Sequence, residues 1–345
     1  MDVFTTTPVP DLASAGEQFA ALEALGYDGA YTYETRHDPF LPLTLAADRT
    51  STLRLGTAVA IAFARTPMLL ATLANDLQDV SAGRFVLGLG TQIRPHIERR
   101  YSMPWSRPAA RLREMVLAIR AIWDAWEGTA PLDFRGEFYT HTLMPPAFDP
   151  GPGRFGRPAI HLGGVGPLMT AVAAEVGDGL LVHPFSTAAS LRQLTLPAVA
   201  GGLARAGRDR HELEVVVVNL IATGDDGPEL DRAVEVARGQ IAFYASTPAY
   251  APVLETIGWG SLHPHLNRLS KEGRWDDMAE LVTDEMVESI AVVGRRDEIA
   301  PLIRAKVAGV ADSVSLECTR RPDPGHFGDI CRALQAAPDQ AGRPR

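Results

Sequence analysis

The sequence predicts an α/β fold: a (β/α)8 barrel with insertions after its fourth and seventh strands. Three observations point there. Eight short apolar strand patterns alternate with helix patterns along the 345 residues. Several strands pair a bulky face with a nearly bare one, as period-two alternation allows. Two stretches, 128–157 and 246–286, interrupt the alternation without breaking its order. An open, doubly wound sheet is the alternative, and periodicity alone does not exclude it.

Val3 to Thr6 reads as the first strand, and Ala13 to Leu25 as a helix ended by Gly26. Gly29 to Glu34 is the second strand, with Ala30, Thr32 and Glu34 on one face and Tyr31 and Tyr33 on the other. A helix over Leu41 to Arg49 follows. Arg54 to Ile61 is the third strand, its small face made by Gly56, Ala58 and Ala60. Pro67 opens a helix that runs to about Val80. The fourth strand sets Phe85, Leu87 and Leu89 against Val86, Gly88 and Gly90, and a long helix spans Arg107 to Trp126.

Residues 128–157 are rich in Pro and Gly, with a small hairpin expected around Phe134 to Tyr139. Ala159 to Gly163, Gly179 to His183, Leu213 to Thr223 and Ser313 to Glu317 are the remaining main strands. Helices are expected at Pro167 to Glu175, Thr187 to Ala206, Leu230 to Tyr244, Arg296 to Ala308 and Phe327 to Ala336. Ile290 to Val293 is a short extra strand or the end of the second insertion. One barrel domain thus covers 1–337, with a frayed tail at 338–345. The bulky faces should pack on the helices. The small faces, Ala30/Thr32, Gly56/Ala58/Ala60 and Gly88/Gly90, should point inward and leave a cavity at the C-terminal mouth, where barrel active sites lie.

Composition narrows the function classes. The net charge of -9 argues against nucleic acid as a partner, because phosphate backbones need a basic face. No apolar run approaches the roughly 18 residues of a membrane span, and the first residues lack a signal-peptide pattern. Cys318 and Cys331 are spaced unlike a redox or zinc pair, so a reduced cytoplasm is expected. His263-Pro264-His265 has no clear third ligand, and no metal site is expected.

Candidate chemistry gathers at the strand ends. A carboxylate at Glu34 needs a partner, a solvent path or a function; it either pairs with a loop arginine or faces a bound ring or substrate. His183 ends the sixth strand and is placed to donate a proton. His161 lies a layer deeper, in a core position. His37 and His96 stand in loops, where they meet substrate or only solvent. Gly163-Gly164-Val165-Gly166 leads into a helix at Pro167, a cradle suited to phosphate or simply a tight turn. The dinucleotide fingerprint is not met, since Met169 stands where its last glycine would be. Arg94, Arg99 and Arg100 offer further anion contacts.

These residues resemble a known family. Leu55-Gly56-Thr57-Ala58-Val59, Arg65-Thr66-Pro67, and Ser81-Ala82-Gly83-Arg84-Phe85-Val86-Leu87-Gly88-Leu89-Gly90 resemble the bacterial luciferase-like monooxygenase superfamily. The likeness continues through Gly163-Gly164-Val165-Gly166-Pro167 and Gly177-Asp178-Gly179. The string from Gly90 to Arg100 is similar to the branch that uses coenzyme F420. The resemblance implies a (β/α)8 barrel with a tricyclic ring in its mouth. It implies a non-prolyl cis peptide at Ala58-Val59 behind that ring. Gly90 and Thr91 would line the ring or its tail, with Arg94 reaching the tail. Residues 163–166 would hold the phosphate arm.

One departure stands out. F420-dependent dehydrogenases of the family carry Asp-His where this chain has Glu34-Thr35, and a threonine hydroxyl has no pKa near 7. His37 or His183 would have to replace that histidine. The resemblance therefore implies an F420-dependent oxidoreductase. Glu34 would sit by the ring and His183 or His37 would relay a proton. The substrate would be an unsaturated or carbonyl/alcohol small molecule, selected by residues 246–286. An FMN-dependent monooxygenase and a cofactor-binding barrel without turnover are the rivals. A homodimer through the helices after strands two and three is expected.

Overall fold

Strand runs this short and apolar need partners on both edges and cover on both faces. They obtain both by closing on themselves. The computed structural model describes residues 1–9, 11–318 and 325–336. The barrel strands are β1 (Asp2–Thr6), β2 (Gly29–Thr32), β3 (Arg54–Thr57), β4 (Phe85–Gly90), β5 (Ala159–Gly164), β6 (Gly179–Val182), β7 (Glu214–Gly224) and β8 (Ser313–Cys318). Each pairs in parallel with the next, and β8 pairs with β1 to close the ring. The open-sheet alternative is thereby excluded. The expected tail at 338–345 lies outside the described residues.

Helices alternate with the strands: α1 (Ala15–Ala24), α2 (Leu41–Arg49), α3 (Pro67–Val80), α4 (Pro108–Trp126), α5 (Pro167–Val176), α6 (Leu196–Ala206) and α7 (Gly227–Ala245). The second insertion holds α8 (Ala251–Glu255), α9 (His263–Glu272), α10 (Trp275–Glu280) and α11 (Asp284–Ile290); α12 (Arg296–Val307) and α13 (Gly325–Ala336) complete the ring. Helix α3 shows why these segments form. The Thr66 hydroxyl caps it by accepting from the Leu69 N–H at 3.3 Å, Pro67 fits its first turn, and Leu70, Ala71, Ala74 and Leu77 line its buried face. No described helix is long and apolar enough to cross a membrane.

The first insertion contains the expected hairpin, Phe134–Arg135 against Thr140–His141. The extra strand is real but lies at Val292–Arg295. It pairs with the upper part of β7, Ile221 to Gly224, above the point where β6 ends at Val182. The helix expected over Thr187 to Ala206 is interrupted by a wider turn at Leu191–Thr195 before α6 begins.

Most of the core lies between barrel and helices, and Phe85, Leu87 and Leu89 face it as expected. The second strand corrects the sequence reading. Ala30 packs outward among the helices, whereas Tyr31 points into the barrel with Phe4, Leu181 and Val216. The reason is a division of space between neighbouring strands. Phe4 and Tyr31 stack at 5.0 Å, and the glycines beside them leave the room. A Cβ at Gly29 would lie 2.2 Å from the Phe4 ring, and one at Gly56 3.0 Å from the Tyr31 ring. Ala60 also faces outward, because the chain gains a residue before it.

The N-terminal end of the barrel interior carries a polar knot. Arg54 donates to both Glu214 oxygens at 3.2 and 2.8 Å, and the Ser313 hydroxyl donates to Glu214 Oε1 at 2.6 Å. His161 Nε2 lies 3.5 Å from Glu214 Oε2, so His161 is a core residue as read from the sequence. Burial alone would raise the Glu214 carboxyl, but Arg54, with His161 and Ser313, brings it down to about 2. Burial lowers His161 to about 4.

Acid should therefore weaken the fold. Both groups bind fewer protons folded than unfolded. Their stabilisation is complete near neutral pH. The His161 part is lost as pH falls from 6.5 towards about 4. The Glu214 part is lost from 4.5 towards about 2. Urea unfolding midpoints measured between pH 7.5 and pH 4 are expected to fall steadily; a flat or rising profile would contradict this.

Candidate active site

The C-terminal mouth is built around an interruption in β3. Pairing with β4 runs through Leu55 with Phe85 and Gly56 with Val86, then resumes at Ala60 with Leu89 and Ile61 with Gly90. Residues 57–59 thus stand opposite residues 87 and 88, which makes a bulge. The Thr57 side chain replaces the lost ladder. Its hydroxyl donates to the Gly88 carbonyl at 2.6 Å and accepts the Gly88 N–H at 3.0 Å. The Ala58-Val59 peptide is cis. Ala58 N donates to the Thr32 carbonyl at 2.7 Å, anchoring the bulge to β2.

This bulge lays Val59 across the neighbouring strands. A Cβ at Gly90 would meet Val59 Cγ2 at 2.4 Å, and one at Gly163 would meet Val59 Cγ1 at 3.4 Å. Ala58, Val59, Gly90 and Gly163 therefore form one floor, low because the two glycines have no side chain. Beyond it, Gly164 packs tightly: its Cβ would lie 2.6 Å from Leu180 Cδ1 and 3.0 Å from Thr170 Oγ1. Gly166 is different, with nothing within 4 Å of an added Cβ. It caps α5, so open space adjoins a helix N-terminus, a setting that suits an anion. Val165 stands between the two glycines at the same loop.

Glu34 lies just past β2 and is fully engaged. Its Oε2 accepts from Ile61 N and from Arg65, both at 2.7 Å, and its Oε1 accepts from the Tyr101 hydroxyl at 3.0 Å. Arg65 also reaches Asp38 at 2.9 Å. Glu34 is thus the loop-arginine partner that the sequence allowed, and its Ile61 contact pins the far end of the bulge. Burial and the nearby Glu34 push the Tyr101 hydroxyl pKa up.

His183 follows β6 directly, on the opposite wall. Its Nδ1 accepts from Phe185 N at 3.1 Å, and its Nε2 lies 3.2 Å from the Tyr250 hydroxyl. The rings of His183 and Tyr250 stack at 4.6 Å, and Tyr244 meets His183 edge-on at 4.7 Å. Burial drops the His183 pKa to about 3, so the ring is neutral near neutral pH. Gln240 of α7 donates to the Tyr244 hydroxyl at 2.9 Å and to Glu317 Oε1 at 3.1 Å. Glu317 is the penultimate residue of β8, and burial raises its carboxyl pKa.

The other sequence candidates lie apart from this wall. His37 is exposed in the loop after β2. The Thr91 hydroxyl donates to the Gln92 carbonyl at 3.1 Å. Arg94 is exposed and holds Glu98 at 2.9 Å. Arg100 donates to the Thr35 carbonyl. Sequence reasoning missed Tyr244, Tyr250, Gln240 and Glu317. Glu317 had a signal: it is a carboxylate at the C-terminal end of a barrel strand. Tyr250 had none, because it comes from the second insertion.

Comparison with known proteins agrees with this geometry. A family model described as luciferase-like monooxygenase matches residues 1–313. An uncharacterised protein of Mycobacterium tuberculosis is 53% identical over 303 residues, 88% of this chain and 89% of its own length. A second M. tuberculosis protein, named as a putative coenzyme F420-dependent oxidoreductase, is 30% identical over 311 residues, covering 82% of this chain and 84% of that one. Among solved structures, the coenzyme F420 dependent tetrahydromethanopterin reductase of Methanopyrus kandleri superposes with a TM-score of 0.78. That match has 20% identity and covers 96% of this chain and 97% of that one.

Proposed function

Because the chain belongs to the luciferase-like monooxygenase family, we propose that it is an F420-dependent oxidoreductase acting on an unsaturated or carbonyl/alcohol small molecule. The observation that carries this reading is the floor of Ala58, Val59, Gly90 and Gly163, kept low for a flat tricyclic ring because the Val59 side chain lies against the two glycines, in space that side chains there would need. The F420 assignment is supported by the relative named for that coenzyme. When bound, the deazaflavin supplies or takes the hydride, and the protein does the rest.

In this reading Ala58, Val59 and Gly90 back the ring, with Thr91 at its edge. Gly163, Gly164, Val165 and Gly166 receive the phosphate at the start of α5. Arg94 reaches the tail by exchanging Glu98 for it. Glu34, gripped by its three donors, holds the bulge that carries Val59. His183 belongs to the substrate wall. His37 is the weaker candidate for proton transfer, since no described group holds it towards the mouth. The helices of the second insertion, through Tyr250, shape the substrate side. The exposed leucines on α2 and α3, Leu41 at 55% and Leu69 at 62%, support these helices as the face of a homodimer.

Titration of the purified protein into oxidised F420, followed by the cofactor's fluorescence, tests the reading. Saturable quenching by F420 and a much weaker response of FMN is the expected outcome. Saturation by FMN with no response of F420 would replace the deazaflavin reading with the monooxygenase one.

A further inference from the structure

Building on the deazaflavin reading, we propose that the Tyr250 hydroxyl is the proton donor to the oxygen of a carbonyl substrate, and that His183 is the residue that aims it. One backbone N–H sets the His183 tautomer. Phe185 N can only donate, and it points at His183 Nδ1 from 3.1 Å. In a neutral imidazole one nitrogen then accepts and the other carries the hydrogen. The proton therefore sits on Nε2. Burial keeps the ring neutral, so Nδ1 does not gain a proton of its own near pH 7.

The consequence falls on Tyr250. His183 Nε2–H is a donor, so across the 3.2 Å contact the phenol oxygen accepts. The phenol's own hydrogen is not taken by His183. Among the described residues no other group accepts it. Tyr101 is differently placed, since its hydroxyl is already given to Glu34. Gln240 donates to Tyr244 and to Glu317, and neither Gln240 nor Glu317 bonds Tyr250. Tyr250 is thus a half-buried hydroxyl held as acceptor on one side and left as donor on the other. It also stands close to the cofactor loop, because His183 follows Val182, whose register partner is Gly164.

The surroundings name the substrate class. Phe185 lies 5.7 Å from the Tyr250 ring and Tyr244 lies 6.0 Å from it. A donor hydroxyl among aromatic rings suits a carbonyl attached to aromatic or unsaturated carbon. In the reduction, the carbonyl carbon gains a C–H bond from the hydride's electron pair. The π pair moves to oxygen and takes the proton as the Tyr250 O–H bond breaks. The carbonyl is reduced by two electrons, which come from the reduced deazaflavin. The phenolate, stabilised by the His183 Nε2–H, regains its proton from water.

The test uses Tyr250→Phe, which keeps the ring stacked on His183, and needs no cofactor for its first arm. Acetophenone labelled with carbon-13 at the carbonyl is bound to each protein, and its stretching band is read by difference infrared spectroscopy. A band displaced to lower frequency in the wild type, and restored towards the free value in the variant, is the expected result. An undisplaced band in the wild type, or equal bands in both proteins, overturns the proposal. In the second arm, ketone reduction with reduced F420 is expected to slow about 100-fold in the variant with F420 affinity unchanged; an unchanged rate also overturns it. Absence of F420 quenching by the wild type would instead sink the deazaflavin reading, and the infrared arm would still decide the role of Tyr250.

Discussion

Alanine at Gly88 is expected to destabilise the barrel by at least about 4 kcal/mol, enough to remove most soluble protein. The reason is steric. A Cβ there would lie 1.6 Å from the Thr57 carbonyl oxygen and 2.8 Å from its carbonyl carbon. Both are backbone atoms, so no rotamer change relieves the clash. Thr57 cannot retreat without giving up its two bonds to Gly88, at 2.6 and 3.0 Å, which stand in for the ladder at the bulge. The same shift would carry Ala58 and Val59 off the floor. Gly166→Ala is the control, since nothing lies within 4 Å of its added Cβ. That variant is expected to stay within about 0.5 kcal/mol of the wild type. Urea unfolding of the two variants checks this, and equal midpoints would contradict the described packing at Gly88.

Glu214→Ala is expected to cost about 3 kcal/mol, because it strands the Arg54 guanidinium inside the barrel's lower end. Glu214 accepts both Arg54 bonds and the Ser313 hydroxyl. After its removal Arg54 keeps, among the described residues, a longer contact to Asp2, at 3.8 Å, and its place over the Phe4 ring, at 4.9 Å. Arg54→Met should be destabilising too. The double variant should lose less than the sum by at least about 1 kcal/mol, since the second change removes the stranded charge. Simple additivity in the double-mutant cycle would show that the two side chains do not depend on each other.

The parts of the structure that were legible in the sequence are those written in local pattern. Gly88 and Gly90 alternate with Leu87 and Leu89, and the structure puts the glycines inward and the leucines among the helices. The facing of β2 was not legible. Both of its faces are buried, so alternation does not say which one looks in, and Tyr31 fits inside only because Gly56 on the next strand makes room. The bulge also hid the outward turn of Ala60, as one added residue reverses the side on which every later one falls.

The candidate site divides in the same way. Ala58, Val59, Gly90 and the glycines at 163 to 166 stand out as small residues at strand ends. The substrate wall does not, because its contacts span the chain. Tyr250 meets His183 across 67 residues, and Gln240 meets Glu317 across 77. Thr35, placed where the resemblance expects a histidine, offers its carbonyl to Arg100. The proton-transfer role thus shifts in our reading from the loop after β2 to the second insertion.

Whether a deazaflavin lies on the floor made by the β3 bulge decides the functional reading, and a crystal of the protein soaked with F420 answers it. Density is expected for the tricyclic ring in van der Waals contact with Ala58, Val59 and Gly90, and for the phosphate beside Gly166 at the start of α5. A ring bound elsewhere, or a mouth that takes up FMN while excluding F420, would contradict that placement.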